Sequence, residues 1–189
     1  MKKNICVYCS SSNYLNEKFY KLAQEFGHKI AEKGFGLVYG GTNVGCMGQI
    51  ANAVLHNGGK VIGVVPKLIH EKGLAHPQLA EIVITKDMRE RKATMEMHSD
   101  VFVAIPGGFG TFEEIFEIMV AKQLGYHKKA VIFLNLEGFY DPLFQMFENV
   151  YKEKFAKEET RELYHIANSV DEIFEYLNSY QEKEYVMKW

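Results

Sequence analysis

Hydrophobic and polar positions form two patterns that alternate along the chain. Short runs of consecutive apolar residues predict strands buried on both faces, and each run is followed by residues whose apolar positions recur with helical spacing. The predicted strands are 5–9, 37–39, 60–65, 82–84, 101–105, 130–134 and 165–167. The predicted helices are 17–33, 48–56, 88–98, about 112–120, 141–151 and 170–177.

This strand–helix order predicts a doubly wound α/β fold, with a mostly parallel sheet and helices on both faces. No linker, repeat or low-complexity segment interrupts the pattern, so residues 1–189 are expected to form a single nucleotide-binding domain. Residues 68–81 contain Gly73, Pro77 and two histidines, and they are expected to be an irregular loop beside an active site. The charged tail, 181–189, is expected to be loosely ordered.

Composition narrows the range of partners. The chain is 47% hydrophobic and 24% charged, with a formal net charge of −2. It has no basic patch or polybasic run, which argues against nucleic-acid and membrane-surface binding. The apolar stretch at the N-terminus is too short for a signal peptide, and no run approaches transmembrane length, so a cytoplasmic location is expected.

Cysteines and histidines suggest neither disulfides nor a metal. Three cysteines, an odd number, provide no disulfide framework. Cys6 and Cys9 form a CxxC, but residues three apart on a strand point to opposite faces, so reduced, buried thiols are expected. The seven histidines show no HxH or HExxH spacing, and no metal or other cofactor is expected.

The segment Pro106–Glu114, with the sequence PGGFGTFEE, is the most informative in the chain. It reads as a strand end, a glycine turn and a helix start, where a close backbone approach and unpaired N–H groups suit a phosphate. Thr111 can cap the helix or bind a phosphate oxygen, and Glu114 places a carboxylate beside it. However, Thr111-x-x-Glu114 also matches a capping box, in which the glutamate has a purely structural role.

Three predicted strand-to-helix turns are rich in small residues, namely 9–13, 40–48 and 106–111. All three open at the carboxyl edge of the predicted sheet, where ligands of open α/β sheets bind. The first turn lacks GxGxxG and the chain lacks GxxxxGK[ST], which disfavours NAD binding and a Walker-type ATPase. Alone, the 40–48 loop could be a plain turn or a ligand site. Two such loops favour a nucleotide monophosphate or a sugar phosphate.

Two basic residues precede the strand that leads to this glycine turn. Arg91 and Lys92 fall on one helical face with Met88 and Met95. Such a pair either snorkels at the surface or points into a polar pocket. In a pocket, the pair would compensate the carboxylates around the phosphate loop.

Together, these motifs resemble the Lonely Guy (LOG) family, the cytokinin riboside 5′-monophosphate phosphoribohydrolases. The pattern PGGxGTxxE lies at 106–114, MRERK at 88–92 and a glycine-rich segment at 39–48. The likeness covers essentially the whole chain and extends to 121–125 and 135–140. It implies hydrolysis of the N-glycosidic bond of (N6-substituted) adenosine 5′-monophosphates, such as AMP, to free base and ribose 5-phosphate. It also implies a homodimer.

Carried onto this sequence, the resemblance implies that Arg91 and Glu114 are the catalytic pair. The substrate-binding residues that it implies are Gly40, Gly41, Thr42, Met88, Lys92, Gly107, Gly108, Phe109, Gly110, Thr111 and Glu113. The alternative is a non-catalytic carrier or sensor of a nucleotide or of the molybdenum cofactor on the same fold. A pure carrier would need the cradle but not the pair. The family's older label, lysine decarboxylase, would need a pyridoxal-phosphate site, which the sequence does not supply.

Overall fold

Seven parallel strands form one sheet in the structure, a computed structural model that describes residues 3–183. The strands are β1 Asn4–Tyr8, β2 Gly36–Tyr39, β3 Val61–Pro66, β4 Glu81–Thr85, β5 Val101–Ala104, β6 Ala130–Leu134 and β7 His165–Ala167. Their order in the sheet is β4-β3-β2-β1-β5-β6-β7, and every neighbouring pair is parallel. The predicted doubly wound α/β fold is confirmed.

Helices cover the sheet between the strands. They are α1 Glu17–Glu32, α2 Gly45–His56, α3 Lys67–Glu71, α4 Met88–Met97, α5 Phe109–Gln123, α6 Asp141–Lys152 and α7 Val170–Ser179, with 3₁₀ turns at Leu136–Gly138 and Glu158–Leu163. Two helices start earlier than predicted, because the glycines in their first turns carry no hydrophobic periodicity. The expectation that 68–81 is wholly irregular is wrong. Its first residues belong to α3, which follows Pro66 as N-cap, and its last residue begins β4.

The core lies in two layers, one on each face of the sheet. Along β1, Ile5 and Val7 pack into one layer, while Cys6 and Tyr8 pack into the other. Cys9 packs against the first layer, so the prediction that Cys6 and Cys9 face opposite sides is confirmed. The three cysteines are free thiols, and burial raises the pKa of Cys6 to about 12, which keeps that thiol protonated.

The order in which successive strands are added to the sheet reverses after β4, so that β1 and β5 lie side by side. Strands β2 to β4 extend from β1 to one side, and the chain then returns to place β5 against the other edge of β1. The loops after β1 and β5 therefore border the crevice in which ligands of doubly wound proteins bind.

Within residues 3–183, no helix is long and apolar enough to cross a membrane. In the same range, no group of three or more His, Cys, Asp or Glu side chains is placed to hold a metal ion. Residues 184–189, most of the tail that was predicted to be loosely ordered, lie outside the described residues.

Candidate active site

The loop after β5 runs directly into α5 and leaves the start of that helix open. Gly108 is the N-cap residue and no side chain caps the helix, so its first N–H groups have no partner within it. Apart from chain neighbours and the helix backbone, no atom lies within 4 Å of the position that a Cβ would take at Gly108 or Gly110. This open helix N-terminus is suited to bind a phosphate.

The interpretation of Thr111 and Glu114 as a capping box is wrong. Helix α5 already begins at Phe109, so Thr111 lies inside its first turn, 3% exposed, with its side chain against Gly107. A Cβ at Gly107 would lie 2.7 Å from the Cβ of Thr111, so this position requires glycine. The sequence pattern placed the helix start too late, because glycine is itself an acceptable N-cap.

Glu114 instead pairs with Arg91 in a nearly buried ion pair. The Nη1 atom of Arg91 lies 2.6 Å from Oε1 of Glu114, and the two side chains are 9% and 11% exposed. Arg91 also donates from Nε to the carbonyl oxygen of Val64 at 3.2 Å. Of the two predicted alternatives for Arg91, the pocket is therefore correct and surface snorkelling is not.

The start of α4 explains why Arg91 points inward. The Asp87 carboxylate accepts hydrogen bonds from the backbone N–H groups of Arg89 and Glu90, at 3.0 and 2.9 Å, and so caps the helix. With the helix beginning at Met88, Arg91 falls on the face that packs against β3. Met88, the first residue of α4, is 51% exposed.

Burial sets the electrostatics of the pair. Desolvation raises the pKa of the Glu114 carboxyl, and the Arg91 guanidinium opposes this rise. A carboxylate with a raised pKa accepts a proton at neutral pH more readily than an ordinary glutamate does. Shifts of this kind cluster at functional sites.

Lys92 balances the other carboxylates beside the cradle. Its Nζ contacts both Glu113 and Glu117, and hydrogen bonds to these two carboxylates raise the pKa of Lys92. Lys92 thus offsets one of the two negative charges that would repel a phosphate at this edge.

The second glycine loop, which follows β2, forms a wall against Arg91. A Cβ at Gly40 would lie 2.2 Å from Nη2 of Arg91 and 2.3 Å from the methyl group of Met47, so a larger residue there would displace the ends of these two side chains. Thr42 donates from Oγ1 to the Met47 sulfur at 3.4 Å. The structure therefore brings Gly40 to the catalytic candidates, although β2 and α4 are well separated in sequence.

An apolar cavity of about 210 Å³ adjoins the cradle at the crevice between β1 and β5. Its lining residues are Ser10, Leu15, Phe19, Pro106, Gly107, Gly108 and Phe139. Phe19 and Phe139 make an edge contact with ring centroids 5.8 Å apart, and the neighbouring Lys18 pairs with Glu137. Sequence reasoning missed these two aromatic residues. Phe19 falls within the predicted helix 17–33, and no periodicity connects it to Phe139.

Comparison with known proteins decides the family. The family model described as "Possible lysine decarboxylase" matches residues 47–177. The "Probable cytokinin riboside 5'-monophosphate phosphoribohydrolase LOGL1" of Oryza sativa subsp. japonica is 40% identical over 182 residues, which cover 94% of this chain and 82% of that protein. The chain belongs to the LOG family. "Cytokinin riboside 5'-monophosphate phosphoribohydrolase LOG1" of Arabidopsis thaliana is 38% identical over 178 residues, covering 94% of this LOG-family chain and 84% of that protein.

Solved structures share the LOG-family fold. The molybdenum cofactor binding protein of Rippkaea orientalis superposes with a TM-score of 0.73 at 23% identity, covering 95% of this chain and 97% of that one. The molybdenum cofactor carrier protein of Chlamydomonas reinhardtii gives a TM-score of 0.72 at 23% identity, with 94% and 97% covered. At this identity the likeness concerns the fold alone, because one fold hosts many functions.

Proposed function

We propose that this LOG-family protein hydrolyses the N-glycosidic bond of adenosine 5′-monophosphates, including N6-substituted ones, to free base and ribose 5-phosphate. The observation that carries the proposal is the nearly buried Arg91–Glu114 pair beside an open helix N-terminus. The names of the relatives, phosphoribohydrolases acting on cytokinin riboside 5′-monophosphates, support the same reaction class.

In this proposal the phosphate binds to the N-terminus of α5. The backbone N–H groups of Phe109, Gly110 and Thr111 donate to its oxygens, and the helix dipole favours its charge. Lys92 and Glu113 at the rim, with Met88 and the Gly40–Thr42 wall, contact the remainder of the nucleotide. Anchoring the phosphate holds the ribose beside Glu114.

The reaction then breaks the C1′–N9 bond, and its electron pair leaves with the purine. Glu114 stabilises the oxocarbenium-like ribose or accepts a proton from the attacking water, as carboxylates do in glycosidases. The water oxygen and one of its protons end on ribose 5-phosphate, and its other proton ends on the base. Arg91 orients the carboxylate and supplies positive charge where negative charge collects.

A non-catalytic carrier or sensor on the same fold is the alternative. It would use the glycine cradle but would gain nothing from a desolvated Arg–Glu pair, which is costly to bury. The pair therefore favours the hydrolase. Incubating the purified protein with AMP and with N6-isopentenyl-AMP and assaying for free base separates the two, because a carrier binds without releasing base.

Removing the phosphate should sharply weaken catalysis. We expect kcat/KM for adenosine to lie at least about 10²-fold below that for AMP, because the charge-assisted hydrogen bonds from the three N–H groups of the cradle would be lost. Chromatographic assay of released adenine at matched concentrations measures the ratio. Equal turnover of adenosine and AMP would show that binding of the phosphate does not contribute to catalysis.

We also propose that the protein is a homodimer, as the family resemblance implies. An apolar groove of about 180 Å³ between α5 and α6 supports this, with Phe116, Met119, Val120, Phe147 and Val150 in its lining. The groove continues into a wide depression around 152–159, where Phe155 is 84% exposed. Exposed apolar surface of this kind is typical of protein interfaces.

Light scattering should therefore report twice the chain mass of 21.7 kDa for the wild type. Val120→Glu, which places a charge in the groove, should give the monomer mass. Ile84→Glu is the matched control, because Ile84 is also 51% exposed but lies on β4, away from the groove. A monomeric wild type at assay concentration would refute the dimer.

We propose a cytoplasmic location. The three cysteines are free thiols, which is the usual state of cysteine in the reducing cytosol.

A further inference from the structure

The loop between β3 and β4 is fastened to the second glycine loop. The backbone N–H of His76 donates to the carbonyl oxygen of Gly41 at 2.8 Å. Thr42 and Ala75 form an isolated antiparallel bridge next to it. The Gly40–Thr42 wall is therefore attached to the loop between β3 and β4, which contains neither residue of the proposed catalytic pair.

The His76 side chain extends this attachment. The ring is 1% exposed, and its Nδ1 accepts a hydrogen bond from the backbone N–H of Gln78 at 3.2 Å. Nε2 consequently carries the hydrogen and donates it to Oδ1 of Asn52 at 3.1 Å. Burial lowers the pKa of His76, which keeps the ring in this neutral form.

Asn52, on α2, also forms a hydrogen bond to the second glycine loop. Its Nδ2 donates to Oδ1 of Asn43 at 3.2 Å. Asn43 is also confined by Gly48, where an added Cβ would lie 2.9 Å from both the carbonyl carbon and Oδ1 of Asn43. His76, Asn52 and Asn43, here called the His76 relay, thus connect the outer loop to the glycine loop by side-chain bonds as well as backbone bonds.

We propose that the His76 relay positions the Gly40–Thr42 wall for the nucleotide, which makes His76 and Asn52 positioning residues. The inference rests on the proposed function. The hydrogen bonds that hold the catalytic candidates do not pass through the relay, since Arg91 bonds to Val64 and Glu114, and the wall meets Arg91 only through the close approach of Gly40. Breaking the relay should therefore weaken substrate binding and leave the chemical step nearly intact.

A matched pair of substitutions isolates the relay bond. Asparagine at position 76 can still accept from the Gln78 N–H but is too short to reach Asn52, whereas glutamine reaches Asn52 and loses the Gln78 bond. Each variant loses one part-buried hydrogen bond, so both should lower the melting temperature similarly. We expect His76→Asn to raise KM for AMP about tenfold with kcat within about threefold, and His76→Gln to keep KM within about threefold.

Asn52→Ala should raise KM as His76→Asn does. Its control is Asn57→Ala, which removes an asparagine at the end of the same helix that bonds to Ala53 and His28 instead. An active wild type whose His76→Asn and Asn52→Ala variants keep KM within about twofold would overturn the relay and leave the proposed function standing. A wild type that hydrolyses no nucleotide monophosphate would overturn the proposed function, and the relay's role with it.

Discussion

Glu114→Gln should reduce turnover of AMP by about 10²-fold or more, the usual scale for acid–base and electrostatic groups. Glutamine keeps the shape of the side chain and an oxygen that can accept the bond from Arg91, but it removes the negative charge. We expect the melting temperature to fall, because the neutral amide keeps the bond to Arg91 but leaves that nearly buried guanidinium without its counter-charge. Single-turnover release of base, together with thermal unfolding, measures both effects.

Glu117→Gln is the matched control for this substitution. Glu117 lies one turn further along α5 and pairs with Lys92, and its side chain is 51% exposed. The control should retain nearly full activity. A Glu114→Gln protein with turnover within about threefold of the wild type would show that the reaction does not use this charge, and would return Glu114 to a structural role.

Arg91→Ala should also reduce kcat/KM for AMP by about 10²-fold or more at neutral pH. The substitution leaves the Glu114 carboxylate buried without its cation, so the pKa of Glu114, already raised by burial, should rise further. The acid limb of the rate profile should therefore move to higher pH. In the wild type that limb should already lie above the ordinary glutamate value of about 4.3.

The same shift predicts how stability depends on pH. A carboxyl whose pKa is higher in the folded state binds more protons when folded, so the free energy of unfolding falls as pH rises from about 4.3 through the raised pKa. Arg91→Ala should show a steeper fall than the wild type when melting temperatures are compared across this window. An Arg91→Ala variant whose acid limb does not move would mean that the two side chains are not coupled during catalysis.

The strands were predictable to within about a residue because their burial on both faces leaves continuous apolar runs. For example, the run 60–65 corresponds to β3 at Val61–Pro66. Helix starts were less predictable. At Gly45 and Phe109 the first turn contains glycine, and backbone geometry rather than side-chain periodicity determines where the helix begins.

For the candidate site, sequence reasoning found the loops but not their partners. The position of the glycine turns after strands was enough to place them at one edge of the sheet. Helical spacing could not decide whether Arg91 lies at the surface or in a pocket. It also could not decide whether Glu114 caps the helix or serves as a carboxylate of the site, because both alternatives have the same spacing. Contacts such as His76 with Asn52 and Phe19 with Phe139 join distant elements through side-chain reach, for which the sequence carries no periodic signature.

The pairing of β5 with β1 affects how the protein folds during its synthesis. The register pairs Ile5 with Val101, so one edge of β1 stays unsatisfied until β5 has emerged from the ribosome. Strands β1 to β4 can pair earlier, but Arg91 has no carboxylate to meet before α5 is made. Such non-local parallel pairing folds slowly and exposes a strand edge to aggregation. We therefore expect nascent chains that end before α5 to depend on chaperones.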